Sequence, residues 1–130
     1  NLASRLEGIT KQYGVGILVG EDTRRAVNDG VFREVDLARV KGKDRPVAIY
    51  EPLGFEGEVE KARLEELKLW QQALKLYRAQ NWDQAELALF NLQRMAPQDE
   101  LYAIYAKRIP ALRAHPPGAG WDGVTTFETK

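Results

Sequence analysis

The chain contains no cysteine and only one histidine among its 130 residues. The lack of cysteine excludes disulfides, thiolate catalysis and cysteine-ligated zinc or iron–sulfur sites. A lone His115, placed before two prolines, argues against a histidine-based metal site or a catalytic triad. No apolar run approaches the roughly 18 residues that a membrane-spanning helix needs, so we expect no membrane segment in this chain.

An excess of charge of one sign is also missing, because 19 Lys and Arg balance 19 Asp and Glu. A net charge of zero provides no general attraction to nucleic acid, and we predict no nucleic-acid partner. The remaining composition, 44% hydrophobic and 29% charged, is that of a globular protein. The chain begins with Asn1 and not with Met, which we interpret as a piece cut from a longer protein.

Residues 1–54 alternate helical and strand patterns. Leu2, Leu6, Ile9 and Tyr13 recur at helical spacing, and Gly14 is suited to end that helix. Short apolar runs and turn residues then predict a strand, a short helix and two strands, over 15–19, 21–27, 32–40 and 45–50. The order helix-strand-helix-strand-strand predicts an α+β unit, and the segment 41–44 is expected to form a hairpin between its last two strands.

The periodicity lapses between Pro52 and Glu60, and beyond this point the pattern is helical. We predict a linker over 55–63, an all-α helical extension over 64–114 and a turn-rich tail over 115–130. Asn81 and Pro97 are expected to separate three helices. The third is expected to start at Asp99, and Pro110 is expected to kink or end it. Trp121 and Phe127 are expected to pin the tail onto the helices.

Small residues recur in the helical part, where Ala73, Ala85 and Pro97 are each 12 positions apart. This spacing resembles a tetratricopeptide repeat over residues 65–100, because small residues let two antiparallel helices approach within a unit of about 34 residues. Three aromatic residues, Trp70, Tyr77 and Trp82, have two interpretations. They form the core of the helix pair, which we favour, or they bind a partner helix or a second copy as an interaction or dimerisation module.

The segment Asn1–Arg5 and the residue Lys41 are the candidate functional residues. Asn1 and Arg5 lie at i and i+4 on the predicted helix, so both project from one face. Arginine suits phosphate, because its planar guanidinium stays protonated and bonds in a bidentate manner. Lys41 precedes Gly42 at a strand end and could reach a phosphate. Taken alone, the Asn1 and Arg5 pattern is more typical of a cap remnant and a solvated surface charge. The Lys41 pattern is as typical of an ordinary exposed turn.

Together these segments resemble the catalytic domain of class III nucleotidyl cyclases. The motif Asn-Leu-Ala-Ser-Arg at 1–5 is similar to the Asn-x-Ala-x-Arg helix of that family. Tyr-Gly-Val-Gly-Ile-Leu-Val at 13–19 resembles the strand that follows it. Phe-Arg-Glu at 32–34, Val-Lys-Gly-Lys-Asp at 40–44 and Val-Ala-Ile-Tyr-Glu at 47–51 resemble the C-terminal hairpin. The resemblance covers residues 1–54 and implies a partial ferredoxin-like fold.

The resemblance implies a role for each candidate residue. Asn1 matches the asparagine that positions the ribose of the nucleotide. Arg5 matches the arginine that stabilises the phosphates while the ribose 3′ oxygen attacks and pyrophosphate leaves. Lys41 matches the lysine that binds the terminal phosphates. Lys43, Arg24 and Arg25 have no counterpart, and we interpret them as surface charge.

The resemblance also implies an adenylate cyclase that uses ATP, with guanylyl activity left open. The Mg²⁺ or Mn²⁺ ligands and the base-selecting residues of the family lie upstream of Asn1, and we do not assign metal binding to Asp22, Asp29, Asp36 or Asp44. The implied partner is a second catalytic domain in a homodimer, and the implied location is cytoplasmic, at the intracellular end of a membrane-anchored protein. We expect these 130 residues alone to be inactive.

Overall fold

The computed structural model describes residues 2–39 and 45–126, and it describes side chains over 6–39 and 45–125. Its elements, in chain order, are α1 Leu2–Tyr13, β1 Val19–Gly20, α2 Glu21–Ala26, β2 Gly30–Arg39, β3 Val47–Phe55, α3 Lys61–Arg78, α4 Trp82–Met95, α5 Glu100–Ala114 and β4 Thr125–Thr126. The predicted α+β class, with helix-strand-helix-strand-strand followed by helices, is confirmed.

The described residues fall into two compact units. The sheet unit contains residues 2–39, 45–60 and 124–126, and the helical unit contains residues 61–123. Each unit has its own buried apolar side chains, with Val35 and Ile49 at the centre of the first and Trp70 and Leu92 at the centre of the second.

The sheet has the strand order β1-β3-β2-β4. The β2–β3 pair is antiparallel, with Arg33 opposite Glu51 and Leu37 opposite Ala48, and its register shifts at two irregularities. β1 adds to the other edge of β3, where Val19 faces Tyr50. β4 runs parallel to the end of β2, where Ala38 faces Thr125. A parallel partner from the far end of the chain was not predicted.

The first helix follows its sequence pattern. Leu6, Ile9 and Tyr13 of α1 are buried, with at most 3% of their surface exposed. Gly14 ends the helix with a left-handed φ of 69°, which glycine adopts without steric cost. Its amide donates to the Lys11 carbonyl, and the Val15 amide donates to the Thr10 carbonyl, so the last turn is satisfied.

Two predicted strands have different bounds in the structure. The predicted strand over 15–19 is reduced to Val19–Gly20, and Ile17 is 61% exposed. The predicted strand over 45–50 instead continues to Phe55, because Gly30–Phe32 of β2 supply partners for residues 52–55. Both differences come from pairing between segments distant in sequence, which the local pattern does not report.

The helical unit packs three helices around aromatic rings. Tyr77 of α3 contacts Trp82 of α4 and Tyr105 of α5, with ring centroids 5.9 Å and 4.8 Å apart. Trp70 packs on Tyr105 at 4.9 Å in an edge-to-face arrangement, the geometry that aromatic quadrupoles favour. Ala73 and Ala85 are also buried, which is consistent with small residues where α3 and α4 approach.

The segment 118–123 lies against the ends of α3 and α4. Trp121 contacts the rings of Tyr77 and Trp82 at 5.3 Å and 5.9 Å, so the predicted pinning by Trp121 is confirmed. The Gln80 side chain donates to the Gly118 carbonyl over 2.6 Å. At Gly123, with φ 80°, a Cβ would lie 2.6 Å from Arg78 Cγ, so only glycine fits this approach. Phe127 lies outside the described residues.

Pro110 does not end the third helix, which was one of the two outcomes predicted for it. α5 runs from Glu100 to Ala114 with Pro110 inside it. The start of the helix was predicted correctly, since the Asp99 side chain caps it by accepting from the Leu101 amide over 3.1 Å.

Candidate functional site

A cleft of about 530 Å³ opens in the sheet unit beside α1, the β1–α2 corner and the start of β3. Leu6, Leu18 and Val47 contribute apolar surface to it, while Glu21 and Asp22 contribute carboxylates from the first turn of α2. The described lining thus combines apolar walls with two acidic groups and no cation. Such a lining does not attract phosphate, so any phosphate recognition here requires cations from other residues.

Glu21 is both a lining residue and the centre of a polar network. Its Oε1 accepts a hydrogen bond from the Tyr50 hydroxyl over 2.6 Å, across 29 positions of sequence. Its Oε2 accepts from Arg24 Nη2 at 2.5 Å and lies 3.2 Å from Arg25 Nε. The network attaches α2 to β3 and thereby holds one wall of the cleft. Arg24 also lies over the Tyr50 ring, 5.0 Å from its centroid.

The network shifts the pKa values of Glu21 and Tyr50 in opposite directions. The Tyr50 hydrogen bond, followed by that from Arg24, lowers the pKa of the Glu21 carboxyl, because both stabilise the carboxylate. Burial, with the bond to Glu21, raises the pKa of Tyr50 to about 12. Glu21 is therefore an anion and Tyr50 a neutral donor at neutral pH. Arg24 and Arg25, which we interpreted as surface charge, are ion-pair partners of Glu21.

Other polar groups of the sheet unit are buried in structural pairs. Asp36 is fully buried and accepts from the Tyr13 hydroxyl over 2.7 Å and from the Leu37 amide over 2.8 Å. Arg33 is 2% exposed, and its Nη2 lies 2.5 Å from Glu51 Oε1. These contacts join α1 to β2 and β2 to β3, and they give Asp36 a structural role.

The three predicted site residues lie largely beyond what the structure describes. Asn1 and Lys41 are outside the described residues, and of Arg5 only the backbone, in α1, is described. Residues near the predicted ones in sequence do line the cleft. Leu6 directly follows Arg5, and Pro46 lies five positions after Lys41. The roles of these three side chains stay predictions.

Metal-binding clusters and membrane-spanning helices are both absent from the described residues. Within 6–39 and 45–125, no group of three or more His, Asp or Glu side chains could hold a metal ion. No helix in the described part of the chain is long and apolar enough to cross a membrane.

Comparison with known proteins reveals two relatives. The chain is 35% identical over 116 residues to the adenylate cyclase, terminal-differentiation specific, of Dictyostelium discoideum, a match that covers 83% of this chain and 5% of the relative. It is 46% identical over 55 residues to an adenylate cyclase of Anabaena cylindrica, covering 39% of this chain and 11% of that protein. The chain resembles a segment of adenylate cyclases. It spans only a small part of the length of either relative.

Two other comparisons gave no match. No model of a known protein family matches the chain. No solved structure matches it either. The relation to adenylate cyclases therefore comes from the two protein sequences, and it extends over most of this chain in the Dictyostelium relative.

Sequence reasoning did not predict the Glu21–Tyr50 network or the cleft beside it. Glu21 was placed only at the start of the predicted short helix 21–27, and Tyr50 only at the end of the predicted strand 45–50. The local sequence pattern gives only a weak signal for this hydrogen bond, because it joins residues 29 positions apart. Of the three aromatic residues considered from the sequence, Trp70 and Tyr77 lie in the core of the helical unit, at most 3% exposed, as we favoured, and Trp82 is partly buried.

Proposed function

We propose that the chain is the C-terminal segment of a class III adenylate cyclase catalytic domain, followed by a tetratricopeptide-like helical tail. The whole enzyme would convert ATP to cyclic AMP and pyrophosphate. The observation that carries this proposal is the 35% identity to an adenylate cyclase over 83% of the chain. The α1-β1-α2-β2-β3 order of the sheet unit supports it, because it follows the order of the cyclase motifs.

In this proposal the chain supplies the charge-stabilising half of the active site. Asn1 orients the ribose, so that its 3′ oxygen faces the α-phosphorus. Arg5 donates to the phosphate oxygens while the new oxygen–phosphorus bond forms and the bond to pyrophosphate breaks. Lys41 binds the terminal phosphates. Catalysis by such groups is electrostatic and positional, since the protein forms no covalent bond to the phosphorus.

The cleft beside α1 supports this assignment by its position. Leu6 lines it one residue after Arg5, and Pro46 and Val47 line it soon after the segment that contains Lys41. The described lining contains Glu21 and Asp22 but no cation, so the proposal assigns phosphate recognition to Arg5 and Lys41.

The remaining components of the enzyme are proposed to lie in other parts of the complete protein. No group of three or more described His, Asp or Glu side chains could hold a metal ion, and we assign the Mg²⁺ or Mn²⁺ ligands and base selection to sequence outside this chain. The catalytic domain is proposed to act as a cytoplasmic homodimer, each copy contributing half of a site. Preference for adenine over guanine rests on the two relatives, which are both named adenylate cyclase.

The test is Arg5→Ala in the complete catalytic domain that contains this chain. We expect kcat to fall about a hundredfold or more, because one preorganised donor to developing charge is lost. Production of cyclic AMP from ATP would be measured under steady-state conditions, with kcat and KM separated. An unchanged kcat would remove the role proposed for Arg5.

A matched control is Lys11→Ala. Lys11 lies in the last turn of the same helix and is exposed, so its removal changes the net charge equally without touching the proposed site. We expect kcat and KM to stay within about twofold of the parent values. A comparable loss in both variants would indicate a general effect of charge or of helix stability.

A further inference from the structure

Helix α4 exposes two large apolar side chains on its outer face. Leu87 is 62% exposed and Phe90 is 56% exposed, while Ala85, Leu89 and Leu92 of the same helix are buried in the helical unit. Exposed apolar side chains that lie together are typical of binding surfaces. The outer face of α4 therefore differs from the remainder of the helix, which packs inward.

Two charged residues extend this apolar pair into a stripe. Asp83, Leu87, Phe90 and Arg94 are all exposed, and at 3.6 residues per turn they fall within about 60° around the helix axis. We call these four residues the α4 stripe. Asp83 lies four residues before Leu87, and Arg94 lies four residues after Phe90. From its N-terminal to its C-terminal end, the stripe contains an acid, two apolar residues and a base. The spacing of these residues is the same on both sides of its midpoint.

The charges at the two ends of the stripe are complementary. At its N-terminal end, Arg113 Nη2 lies 2.6 Å from Asp83 and 2.5 Å from Glu86, so two carboxylates share one guanidinium. One negative charge therefore remains, and the Asp83 side chain is 87% exposed. At the C-terminal end, the guanidinium of Arg94 lies 5.9 Å from the Phe90 ring centroid. The stripe thus has one cation, Arg94, at its C-terminal end and one uncompensated carboxylate charge at its N-terminal end.

We propose that the α4 stripe binds the α4 stripe of a second copy of this chain, antiparallel and about a two-fold axis. In this arrangement Leu87 of each copy packs on Phe90 of the other, and Arg94 of each copy approaches the Asp83–Glu86 pair of the other. A two-fold interface requires a self-complementary patch, and the order acid, apolar, apolar, base meets that requirement. A parallel arrangement would instead place like charges together.

This interface is independent of the proposed catalytic function, because it uses none of Asn1, Arg5 or Lys41. It also differs from the dimerisation surface considered from the sequence, since Trp70 and Tyr77 are buried in the helical unit. A single pair of helices buries less surface than the roughly 1,200 Å² of a standard stable interface. We therefore expect a dissociation constant in the range of about 10 μM to 1 mM for the 130-residue chain.

The first experiment is sedimentation equilibrium of the whole chain and of Leu87→Glu over concentrations up to about 1 mM. We expect the parent to form dimers and the variant to bind at least about a hundredfold more weakly, because two carboxylates would enter the apolar centre. The matched control is Met95→Glu, at a position 50% exposed on the same helix but about 80° from Leu87 around the axis. Its dimerisation should be unchanged.

A monomeric parent at every concentration would overturn the proposal, and so would a dimer that Leu87→Glu leaves intact. Circular dichroism of each variant verifies that the helices have formed. Because Leu87 and Met95 are both at least half exposed, neither substitution removes a core side chain. A variant that lost its helices would be replaced by Phe90→Glu, for which the same two outcomes apply.

The second experiment tests the antiparallel register with charge reversals. Asp83→Arg and Arg94→Asp should each weaken self-association about tenfold, because each places like charges together at both ends of the dimer. The double variant Asp83→Arg/Arg94→Asp should recover the parent affinity, since each end of an antiparallel dimer again joins one cation and one anion, whereas a parallel dimer would still join like charges. Recovery would support the antiparallel register, and a double variant as weak as either single variant would overturn it.

Discussion

At the scale of single residues, the Glu21 carboxylate organises the wall of the cleft. It accepts from Tyr50 of β3 and pairs with Arg24 and Arg25 of its own helix. α2 is only six residues long, and helices this short are not stable by their own hydrogen bonds. The side-chain bond to β3 therefore contributes to holding α2 in place, and with it the acidic edge of the cleft.

This bond predicts a pH-dependent effect of Tyr50→Phe. At neutral pH we expect the variant to be less stable by about 1 kcal/mol, because one hydrogen bond to a carboxylate is lost. The pKa of Tyr50 is raised to about 12 in the fold, against about 10 in an unfolded chain. The unfolded state thus releases its proton first, and the stability advantage of the parent falls as the pH rises from about 10 to about 12.

At low pH, the stability contributed by this hydrogen bond is limited by Glu21, whose pKa is lowered in the fold. Its contribution is present above the ordinary glutamate pKa of about 4.3 and is lost as the pH falls below that value. Urea denaturation of parent and variant at a series of pH values, followed by circular dichroism, would measure both limits. The control is Glu7→Gln, an exposed acid of α1. A difference between parent and Tyr50→Phe that is constant with pH would contradict the assignment.

At the scale of elements, α5 carries a proline that the remainder of the helix accommodates. Pro110 has no amide hydrogen to donate to the carbonyl four residues earlier, and its ring crowds that carbonyl. The helix nevertheless continues to Ala114. Buried side chains on both sides of its centre, including Leu101, Tyr105 and Ile109, hold it against α3 and α4. Tertiary packing here outweighs the local preference of the proline.

This predicts that Pro110→Ala stabilises the helical unit, by about 1 to 3 kcal/mol, since a hydrogen bond is restored and strain removed. All three tryptophans, Trp70, Trp82 and Trp121, lie in the helical unit, so their fluorescence during urea denaturation follows that unit. Lys107→Ala, at an exposed position of the same helix, is the control and should change stability by less than about 0.5 kcal/mol. A loss of stability in Pro110→Ala would show that the proline is required by the local packing.

At the scale of the whole molecule, the chain contains two units with different chemistry. The sheet unit contains the cleft and the motifs similar to nucleotidyl cyclases. The helical unit contains an aromatic core and the exposed α4 stripe. Its C-terminal segment leads from Trp121, packed on Tyr77, directly to β4, which pairs with the end of β2. The chain thus returns to the sheet unit after forming the helices.

For the whole chain we predict no cyclase activity in isolation. The metal ligands and the second catalytic domain are proposed to lie outside this chain, and no group of three or more described His, Asp or Glu side chains could hold a metal ion. A cyclic AMP assay with ATP and Mn²⁺ on the purified chain measures this, with the complete catalytic domain as the positive control. Turnover by the chain alone would contradict the proposed division of the active site.

The sequence by itself determined the elements whose signals are local. The stripe of Leu6, Ile9 and Tyr13 predicts α1, Gly14 predicts its end, and Asp99 predicts the start of α5. Each of these depends on residues within a few positions, so periodicity and capping are sufficient. The motifs at 1–5 and 40–51 also indicated adenylate cyclase, and the two relatives agree with that resemblance.

Only the tertiary structure decided the features that join distant segments. β3 extends to Phe55 because β2 pairs with it, and Thr125–Thr126 forms a strand because the end of β2 is available beside it. The Glu21–Tyr50 bond and the cleft likewise depend on where α2 meets the sheet. Their energy comes from contacts across tens of residues, which no local pattern encodes. The α4 stripe also depends on tertiary structure. The opposite face of α4 packs inside the helical unit, and this packing decides which side chains of α4 stay exposed.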